Sequence, residues 1–311
     1  MSVLIAADFE ATDWAAWWPA LTAELPGERL VRSVSEAADD TIDIALVANP
    51  PAGALQGLDS LRLIQSLWAG VDKLLADPTV PLGVPLARMV DPAMNAAMAE
   101  TALWAVLGLQ RDYFDYAASQ RGAQWKPLPQ RHAADFTVAV LGLGQMGRAA
   151  AQRLVQHGCR VHGWSTRPCV VEGVQTHVGD AAWPELLATA QIVINLLPLT
   201  PATRGLFDAT TFAQMPRGAS VVNLARGAHV IEADLLAALD SGRLHRAVLD
   251  VFATEPLPAT HAFWSHPRVT VLPHVAAQTD PRSAAAIVAA NVAALRRGLP
   301  ISHRVDRARG Y

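Results

Sequence analysis

Short apolar runs alternate with amphipathic stretches along this 311-residue chain. The runs are rich in Val, Ile and Leu and are bounded by Gly, Pro or polar residues, a pattern typical of strands buried on both faces of a sheet. Strands are predicted at residues 3–6, 42–48, 61–66, 86–90, 137–141, 161–164, 191–197, 219–224, 247–251 and 269–272. Helices are predicted at residues 13–25, 93–113, 148–157, 209–215, 232–241 and 284–297. This alternation predicts an α/β fold with a doubly wound parallel sheet, whose ligands bind at the carboxyl ends of the strands.

A strand–turn–helix–strand unit occupies residues 136–167. Its turn, Gly142-Leu-Gly144-Gln-Met-Gly147, has glycines at the spacing that permits a tight turn, close approach of the backbone to a pyrophosphate, and close helix–strand packing. The helix that follows would direct its free N-terminal N–H groups at the phosphates. The order of these elements predicts a dinucleotide site, and the alternative is a glycine turn without a ligand.

The second strand of this unit ends in Ser165-Thr166-Arg167. An acidic residue at this position would bind the ribose 2′-hydroxyl of NAD. Two hydroxyls and a guanidinium instead suit a 2′-phosphate, because arginine offers a planar, charge-assisted pair of donors. The sequence therefore predicts NADPH in preference to NADH, with a solvated loop cation as the alternative interpretation of Arg167.

Composition narrows the class of protein. The chain is 51% hydrophobic and 17% charged with a net charge of −3, so it offers no electrostatic case for binding nucleic acid or an anionic membrane. Asp8 and Glu10 interrupt the N-terminal apolar run, and no apolar stretch reaches the about 18 residues of a membrane span. Cys159 and Cys169 lack metal-like or C-x-x-C spacing, which favours reduced thiols in a cytoplasmic protein.

Three residues with chemically reactive side chains lie beyond the ends of the last three predicted strands: Arg226, Glu255 and His274. Each alone has an ordinary interpretation, as a surface cation, a solvated loop acid and a core histidine. Together they would suit the reduction of a 2-keto acid, in which Arg226 holds the carboxylate and polarises the carbonyl. His274 would donate the proton, while Glu255 would orient its ring and favour the protonated form.

Two further segments have two interpretations each. Trp68-Ala-Gly70-Val71-Asp72 follows a predicted strand, and its glycine and exposed N–H groups suit either an anion site or a plain turn. The apolar helix at 93–113 and the aromatic segment 113–125 suit either a subunit interface or packing within the chain.

Over essentially its whole length the chain resembles the D-isomer-specific 2-hydroxyacid dehydrogenase family. The resemblance rests on the glycine turn, Asn223-Leu-Ala225-Arg226-Gly227, Asp250-Val-Phe-Ala-Thr-Glu255-Pro-Leu-Pro258 and Pro273-His274-Val-Ala-Ala277. The segments at 68–72, 164–167 and 305–311 resemble the glyoxylate/hydroxypyruvate reductase A branch.

The resemblance implies two Rossmann-like domains. A doubly wound cofactor domain at 94–275 would be inserted in a flavodoxin-like, lid-like substrate domain made of 1–93 and 276–311. The active site would lie in the cleft between them, with hinge closure excluding water. Homodimerisation through the cofactor domain is also implied.

The resemblance further implies roles for individual residues. Arg226, Glu255 and His274 would be catalytic, and no metal is expected. The substrate would contact Trp68, Ala69, Gly70, Val71, Arg226 and His274. The cofactor would contact Gly142, Gly144, Gln145, Met146, Gly147, Trp164, Ser165, Thr166, Arg167, Leu197, Pro198, Thr203, Leu224, Ala225, Asp250, His274 and Ala276.

The predicted function is NADPH-dependent reduction of glyoxylate, hydroxypyruvate or a related 2-keto acid to the D-hydroxy acid. The neighbourhood of Ala48, Asn49 and Pro50 is small, which leaves room for substrate side chains larger than that of glyoxylate. One alternative is therefore a reductase of bulkier keto acids such as phenylpyruvate or branched keto acids, with NAD in place of NADPH. Another, from a different class, is a dinucleotide-sensing interaction protein that shares the fold.

Overall fold

The computed structural model describes residues 1–38 and 40–311. The chain divides into two compact units, one formed by Met1–Met94 with Thr279–Tyr311 and the other by Asn95–Gln278. The resemblance implied divisions after residues 93 and 275.

Strands and helices alternate through both units. The strands are β1 Ser2–Ala7, β2 Arg29–Val31, β3 Ile42–Ala48, β4 Leu63–Ser66, β5 Leu86–Ala87, β6 Thr137–Leu141, β7 Arg160–Ser165, β8 Val174–Val178, β9 Ile192–Asn195, β10 Ala219–Asn223, β11 Leu244–Leu249 and β12 Val269–Val271. The helices are α1 Ala11–Glu24, α2 Asp72–Ala76, α3 Pro92–Gln110, α4 Tyr113–Arg121, α5 Gln145–His157, α6 Trp183–Thr189, α7 Ala209–Gln214, α8 Glu232–Asp240 and α9 Pro281–Arg296.

The first unit contains a parallel sheet in the order β2-β1-β3-β4-β5. β3 and β4 are buried along their whole length, as expected for strands that are covered on both faces. The C-terminal helix α9 is bound to this sheet by polar contacts, since the Asn291 amide donates to Gln65 Oε1 at 2.7 Å. Arg296 near the end of α9 forms ion pairs with Glu28 and Asp43.

The second unit contains a parallel sheet in the order β12-β11-β10-β9-β6-β7-β8. The chain runs outward from β6 through β7 to β8, then returns to the other side of β6 at β9. The strand order therefore reverses between β6 and β9, which is the position where doubly wound sheets bind ligands. The glycine-rich turn follows β6, so it lies at this switch point. The predicted α/β doubly wound architecture is confirmed.

The structure corrects several predicted boundaries. β2, α2 and α6 were not predicted because they are short, β8 because it alternates polar with apolar residues, and α4 because it buries no residue and so lacks an apolar stripe. The helix predicted at 148–157 begins earlier, at Gln145, and includes Gly147, whose low helix propensity concealed the first turn. The helix predicted to reach residue 113 ends at Gln110, and α4 starts after Asp112, which has a left-handed φ of 56°.

Both cysteines are free thiols. Cys159 is buried, and burial raises the pKa of its thiol to about 11, because the thiolate is poorly solvated there. Among the described residues, no helix is both long and apolar enough to span a bilayer.

Candidate active site

The turn after β6 can be formed only with glycine at two of its positions. Gly142 has a φ of +95°, and a Cβ there would lie 2.7 Å from the Leu196 carbonyl oxygen. A Cβ on Gly147 would lie 1.8 Å from the Gly142 carbonyl oxygen, so α5 could not approach the turn as closely. The Gly142 N–H donates to the Trp164 carbonyl at 2.9 Å, which joins the turn to β7.

The third glycine leaves open space in front of α5. Gly144 is the residue before the helix, and a Cβ there would meet no atom within 4 Å. Gly144 and Gln145 are exposed and Met146 is half-buried, and the N–H groups of the first helical turn have no partner within the helix. A cradle without side chains beside free N–H donors fits a pyrophosphate, so the residues present fit a bound dinucleotide.

The loop after β7 carries the residues predicted to recognise the 2′-phosphate. Thr166 and Arg167 are exposed there. The Ser165 hydroxyl is used within the loop, since it donates to the Arg167 carbonyl and lies 3.4 Å from Cys169 Sγ. A cation and a hydroxyl are thus available to an anionic ligand at the end of this strand.

The Trp164 side chain is packed inside the second unit. It is buried, its indole N–H donates to the Gly179 carbonyl at 2.9 Å, and it packs edge-on against Trp183. The Trp164 carbonyl accepts the N–H of Gly142 and so supports the glycine turn, and the contact of Trp164 with the cofactor stays a prediction.

A buried polar network, which the sequence analysis missed, connects β9 and β10. The Asn195 amide nitrogen donates to Asn223 Oδ1 at 2.9 Å and lies 2.9 Å from His229 Nδ1. The other ring nitrogen of His229 lies 3.3 Å from the Pro198 carbonyl. All three side chains are fully buried, so the network holds together the loops that follow both strands. The feature of the sequence that could have revealed this network is the asparagine at the carboxyl end of both β9 and β10.

This network positions the backbone of Arg226. The Asn223 amide donates to the Arg226 carbonyl at 2.9 Å, and the Arg226 guanidinium donates to the Ala225 carbonyl at 2.6 Å. A Cβ on Gly227 would lie 1.8 Å from the backbone carbon of Phe252, so this glycine lets Arg226 approach the loop that carries Glu255.

Asn195 also supports the loop after β9, which carries residues predicted to contact the cofactor. Leu197 is buried, and its N–H donates to Asn195 Oδ1 at 3.2 Å. The Thr203 hydroxyl donates to the Pro198 carbonyl at 2.8 Å, which closes the loop on itself. Leu224 and Ala225, at the end of β10, are also buried.

Glu255 and His274 form an ion pair at the carboxyl edge of the second sheet. Glu255 Oε2 lies 2.8 Å from His274 Nδ1, and Oε1 accepts the Phe252 N–H at 2.9 Å. Burial acts to raise the pKa of Glu255, but these two hydrogen bonds and the charges of His274 and Arg226 outweigh it and hold that pKa below its usual range. His274 keeps 51% of its side chain exposed, so the ring is both oriented and accessible.

Asp250 fixes the backbone around His274. Its carboxylate accepts the N–H of Val275 at 2.7 Å and that of Ala276 at 3.0 Å, and its carbonyl accepts the N–H of His274 at 2.9 Å. These bonds hold His274 at a φ of +55°, a conformation uncommon for a residue with a side chain. Asp250 is only 1% exposed, and this supporting role was not predicted. Ala276 is buried as well, and its carbonyl accepts the Thr101 hydroxyl at 2.8 Å.

The segment Trp68–Val71 lies in the first unit, between β4 and α2. The Trp68 carbonyl accepts both the Ser66 hydroxyl at 2.9 Å and the Met89 N–H at 3.1 Å, which fixes the turn. Among the described residues, no group accepts a hydrogen bond from the N–H of Ala69 or Gly70. The turn therefore has free donors for an anion.

One group of described residues has the donor types of a metal site, namely Asp112, Asp115 and His245. Both carboxylates are already bound to guanidinium groups, Asp112 to Arg131 and Asp115 to Arg246. The arrangement is an ion-pair network that holds α4 against β11.

The chain is similar to known oxidoreductases. The family model for the D-isomer specific 2-hydroxyacid dehydrogenase NAD binding domain matches residues 103–276. Glyoxylate/hydroxypyruvate reductase A of Serratia proteamaculans is 42% identical over 308 residues, which cover 97% of each chain. The protein of the same name from Klebsiella pneumoniae is 42% identical over 304 residues, covering 96% of this chain and 97% of the relative.

Solved structures agree over the full length. A D-isomer specific 2-hydroxyacid dehydrogenase from Xanthobacter autotrophicus, in complex with NADPH and MES, has a TM-score of 0.93 and 40% identity, and the match covers 100% of this chain and 99% of that one. An NADPH-dependent glyoxylate/hydroxypyruvate reductase from Sinorhizobium meliloti, in complex with NADP and sulfate, has a TM-score of 0.93 and 36% identity, with 100% of each chain covered. The chain therefore belongs to the D-isomer specific 2-hydroxyacid dehydrogenase family, in its glyoxylate/hydroxypyruvate reductase A branch.

Proposed function

We propose that this protein is an NADPH-dependent reductase that converts glyoxylate, hydroxypyruvate and related small 2-keto acids to D-2-hydroxy acids. The observation that carries the proposal is the Glu255–His274 ion pair, which lies with Arg226 at the carboxyl edge of the sheet that also carries the glycine-rich turn. The names of the relatives and the cofactors bound to the solved structures support the same activity.

His274 is the proton donor in this proposal. When bound, NADPH would supply the hydride that reduces the substrate carbonyl carbon. His274 Nδ1 is occupied by Glu255, so the exposed ring has Nε2 available to protonate the carbonyl oxygen as it gains negative charge. Glu255 remains a carboxylate because its pKa is lowered, and its contact with Nδ1 orients the ring for proton transfer from Nε2.

Arg226 is the cationic residue that binds the substrate in this proposal. Its guanidinium is half-buried, which strengthens its attraction for a carboxylate relative to a fully solvated charge. We assign it the binding of the substrate carboxylate and the polarisation of the carbonyl. The free N–H groups of Ala69 and Gly70 are assigned to the carboxylate as well, together with Trp68 and Val71 of the same turn.

The two units have separate roles in this proposal. Unit Asn95–Gln278 binds the cofactor, with the pyrophosphate on the glycine-rich turn and the 2′-phosphate at Ser165–Arg167. The nicotinamide contact of Asp250 and the contacts from Leu197, Pro198, Thr203, Leu224, Ala225 and Ala276 also remain proposals. The unit formed by Met1–Met94 and Thr279–Tyr311 binds the substrate.

We further infer a cytoplasmic homodimer formed through the cofactor-binding unit. Trp104, Tyr113 and Trp125 in this unit are exposed, the last of them completely. Phe114 instead packs edge-on against Trp104 at 5.5 Å within the same chain, which removes it from the aromatic surface. Light scattering of the purified protein tests the dimer, and Trp104→Asp with Tyr113→Asp is expected to give monomers.

The activity is tested by following the oxidation of NADPH and NADH with a panel of keto acids. Fast oxidation of NADPH with glyoxylate and hydroxypyruvate is expected. A preference for phenylpyruvate or 2-ketoisocaproate would retain the mechanism but contradict the proposed substrate. Tight NADPH binding without turnover of any keto acid would instead favour a dinucleotide sensor.

A further inference from the structure

Arg148 lies where its charge does not stabilise the helix that carries it. It is in the first turn of α5, and a cation near a helix N-terminus is unfavourable because that end already carries partial positive charge. The guanidinium is nevertheless held in place by two defined hydrogen bonds. Nε donates to the Leu143 carbonyl at 3.1 Å, and Nη1 donates to the Val170 carbonyl at 2.9 Å.

These two carbonyls belong to the two halves of the predicted cofactor site. Leu143 lies between the first two glycines of the turn that fits the pyrophosphate. Val170 lies in the loop after β7, three residues beyond Arg167, and its own side chain is 87% exposed. A single side chain therefore connects the pyrophosphate turn to the loop that carries the 2′-phosphate ligands.

Hydrophobic packing supports this loop at Cys169 and Val171, which pack in the core cluster that includes Ala150 and Leu154 of α5, but it does not reach the exposed residues between Thr166 and Val170. At its base the Ser165 hydroxyl binds the Arg167 carbonyl and lies near Cys169 Sγ. Thr166, Arg167 and Val170 are all exposed, so their side chains supply little packing energy. The hydrogen bond from Arg148 to the Val170 carbonyl adds a polar tether between the exposed part of this loop and α5, and a guanidinium suits the task because its donors are fixed in one plane.

We propose that Arg148 is a positioning residue for NADPH selectivity, which acts by holding the 166–170 loop so that Arg167 is presented to the 2′-phosphate. This inference rests on the proposed role of Arg167. Its consequence is specific, because losing the Arg148 tether weakens recognition of the 2′-phosphate and leaves recognition of the rest of the dinucleotide intact.

The test measures binding by calorimetry, with adenosine 2′-monophosphate and adenosine 5′-monophosphate as probes and the full-length protein. Arg148→Met is expected to raise the Kd of the 2′-isomer roughly tenfold, the value of one hydrogen bond from a charged donor. The Kd of the 5′-isomer should change less than about twofold. Arg153→Met, an exposed site on the same helix, is the matched control and should change neither.

Arg148→Lys separates geometry from charge and protects the test against misfolding of the Met variant. An ammonium retains the charge and most of the stem but cannot place donors at both carbonyls, so it should bind the 2′-isomer about as weakly as the Met variant does. Wild-type affinity in Arg148→Lys would overturn the proposal, because charge alone would then suffice. Equal weakening of both isomers in Arg148→Met would also overturn it, since that result indicates general support of the glycine turn.

A double-mutant cycle with Arg167→Ala shows whether the two arginines act together. If Arg148 acts through Arg167, the double variant should bind the 2′-isomer no more weakly than Arg167→Ala alone. Additive losses would overturn the proposal while leaving the role of Arg167 in place. No loss in Arg167→Ala itself would instead refute the proposed 2′-phosphate site, and the inference on Arg148 with it.

Discussion

His274 Nδ1 lies 2.8 Å from Glu255 Oε2, and both residues are held by backbone contacts rather than by long-range packing of their own side chains. Glu255 is anchored through the Phe252 N–H, and His274 through the Asp250 carbonyl. The pair therefore has a fixed geometry on two separate loops, while the second ring nitrogen of the histidine stays accessible.

Replacing the histidine should remove the proton donor without disturbing cofactor binding. His274→Ala is expected to lower kcat by roughly 10²–10⁴-fold, the usual span for general acid catalysis. Steady-state kinetics and NADPH titration by fluorescence measure the two effects separately. A kcat close to that of the wild type would remove His274 from the mechanism.

The carboxylate should set the pH range of activity. Because its pKa is held low, Glu255 stays negatively charged below its usual titration range and keeps its contact with Nδ1 of His274. Glu255→Gln keeps the size of the side chain but loses the charge, so kcat at pH 7 should fall and the acid decline of kcat that follows protonation of Glu255 should disappear. A pH–rate profile of unchanged shape would contradict the proposed role of Glu255.

Arg226, the proposed ligand of the substrate carboxylate, should affect both substrate binding and the chemical step. Arg226→Ala should raise the KM for glyoxylate and lower kcat together, since the carboxylate anchor and the carbonyl polarisation are lost at once. Arg226→Lys should recover only part of the loss, because an ammonium lacks the two-point geometry. As a control, Arg204→Ala changes an exposed arginine of the same unit and should behave like the wild type. An unchanged KM in Arg226→Ala would refute the assignment.

Cofactor preference should depend on the charge at the end of β7. Arg167→Asp replaces a cation with the type of residue that binds the ribose 2′-hydroxyl of NAD, and it would repel a 2′-phosphate. The ratio of kcat/KM for NADPH to that for NADH is expected to fall by at least about tenfold, the equivalent of one charge-assisted contact. If the ratio does not move, Arg167 is a solvated loop cation.

The edge of the second sheet should be sensitive to acid. His162 on β7 stacks on His177 of β8, and burial, with the charges of His177 and Arg160, lowers the pKa of His162 below 6.5. Its stabilising contribution is therefore fully present above pH 6.5 and is lost as the pH falls through the lower pKa of the folded state. Urea unfolding at pH 7.5 and 5.5 should show a smaller loss of stability in His162→Asn than in the wild type. Equal losses would show that this histidine does not contribute.

The amino-acid sequence determined the architecture and the family. Apolar strands such as residues 137–141 can only be buried on both faces, and the spacing of Gly142, Gly144 and Gly147 permits a tight turn against a helix, so local physics was sufficient for these predictions. The comparisons with known proteins confirmed the family, and two solved structures similar to this chain contain NADPH or NADP.

Tertiary structure decided how the candidate residues are supported. Asn195, Asn223 and His229 are far apart in the chain, so their mutual contacts depend on β9 and β10 being neighbours in the sheet. No local feature of the sequence indicates that the Asp250 carboxylate accepts the N–H groups of Val275 and Ala276. The same is true of the Arg148 guanidinium, which donates to the carbonyls of Leu143 and Val170. Hydrogen bonds between distant segments depend on the relative placement of loops, and that placement exists only after the sheet has assembled.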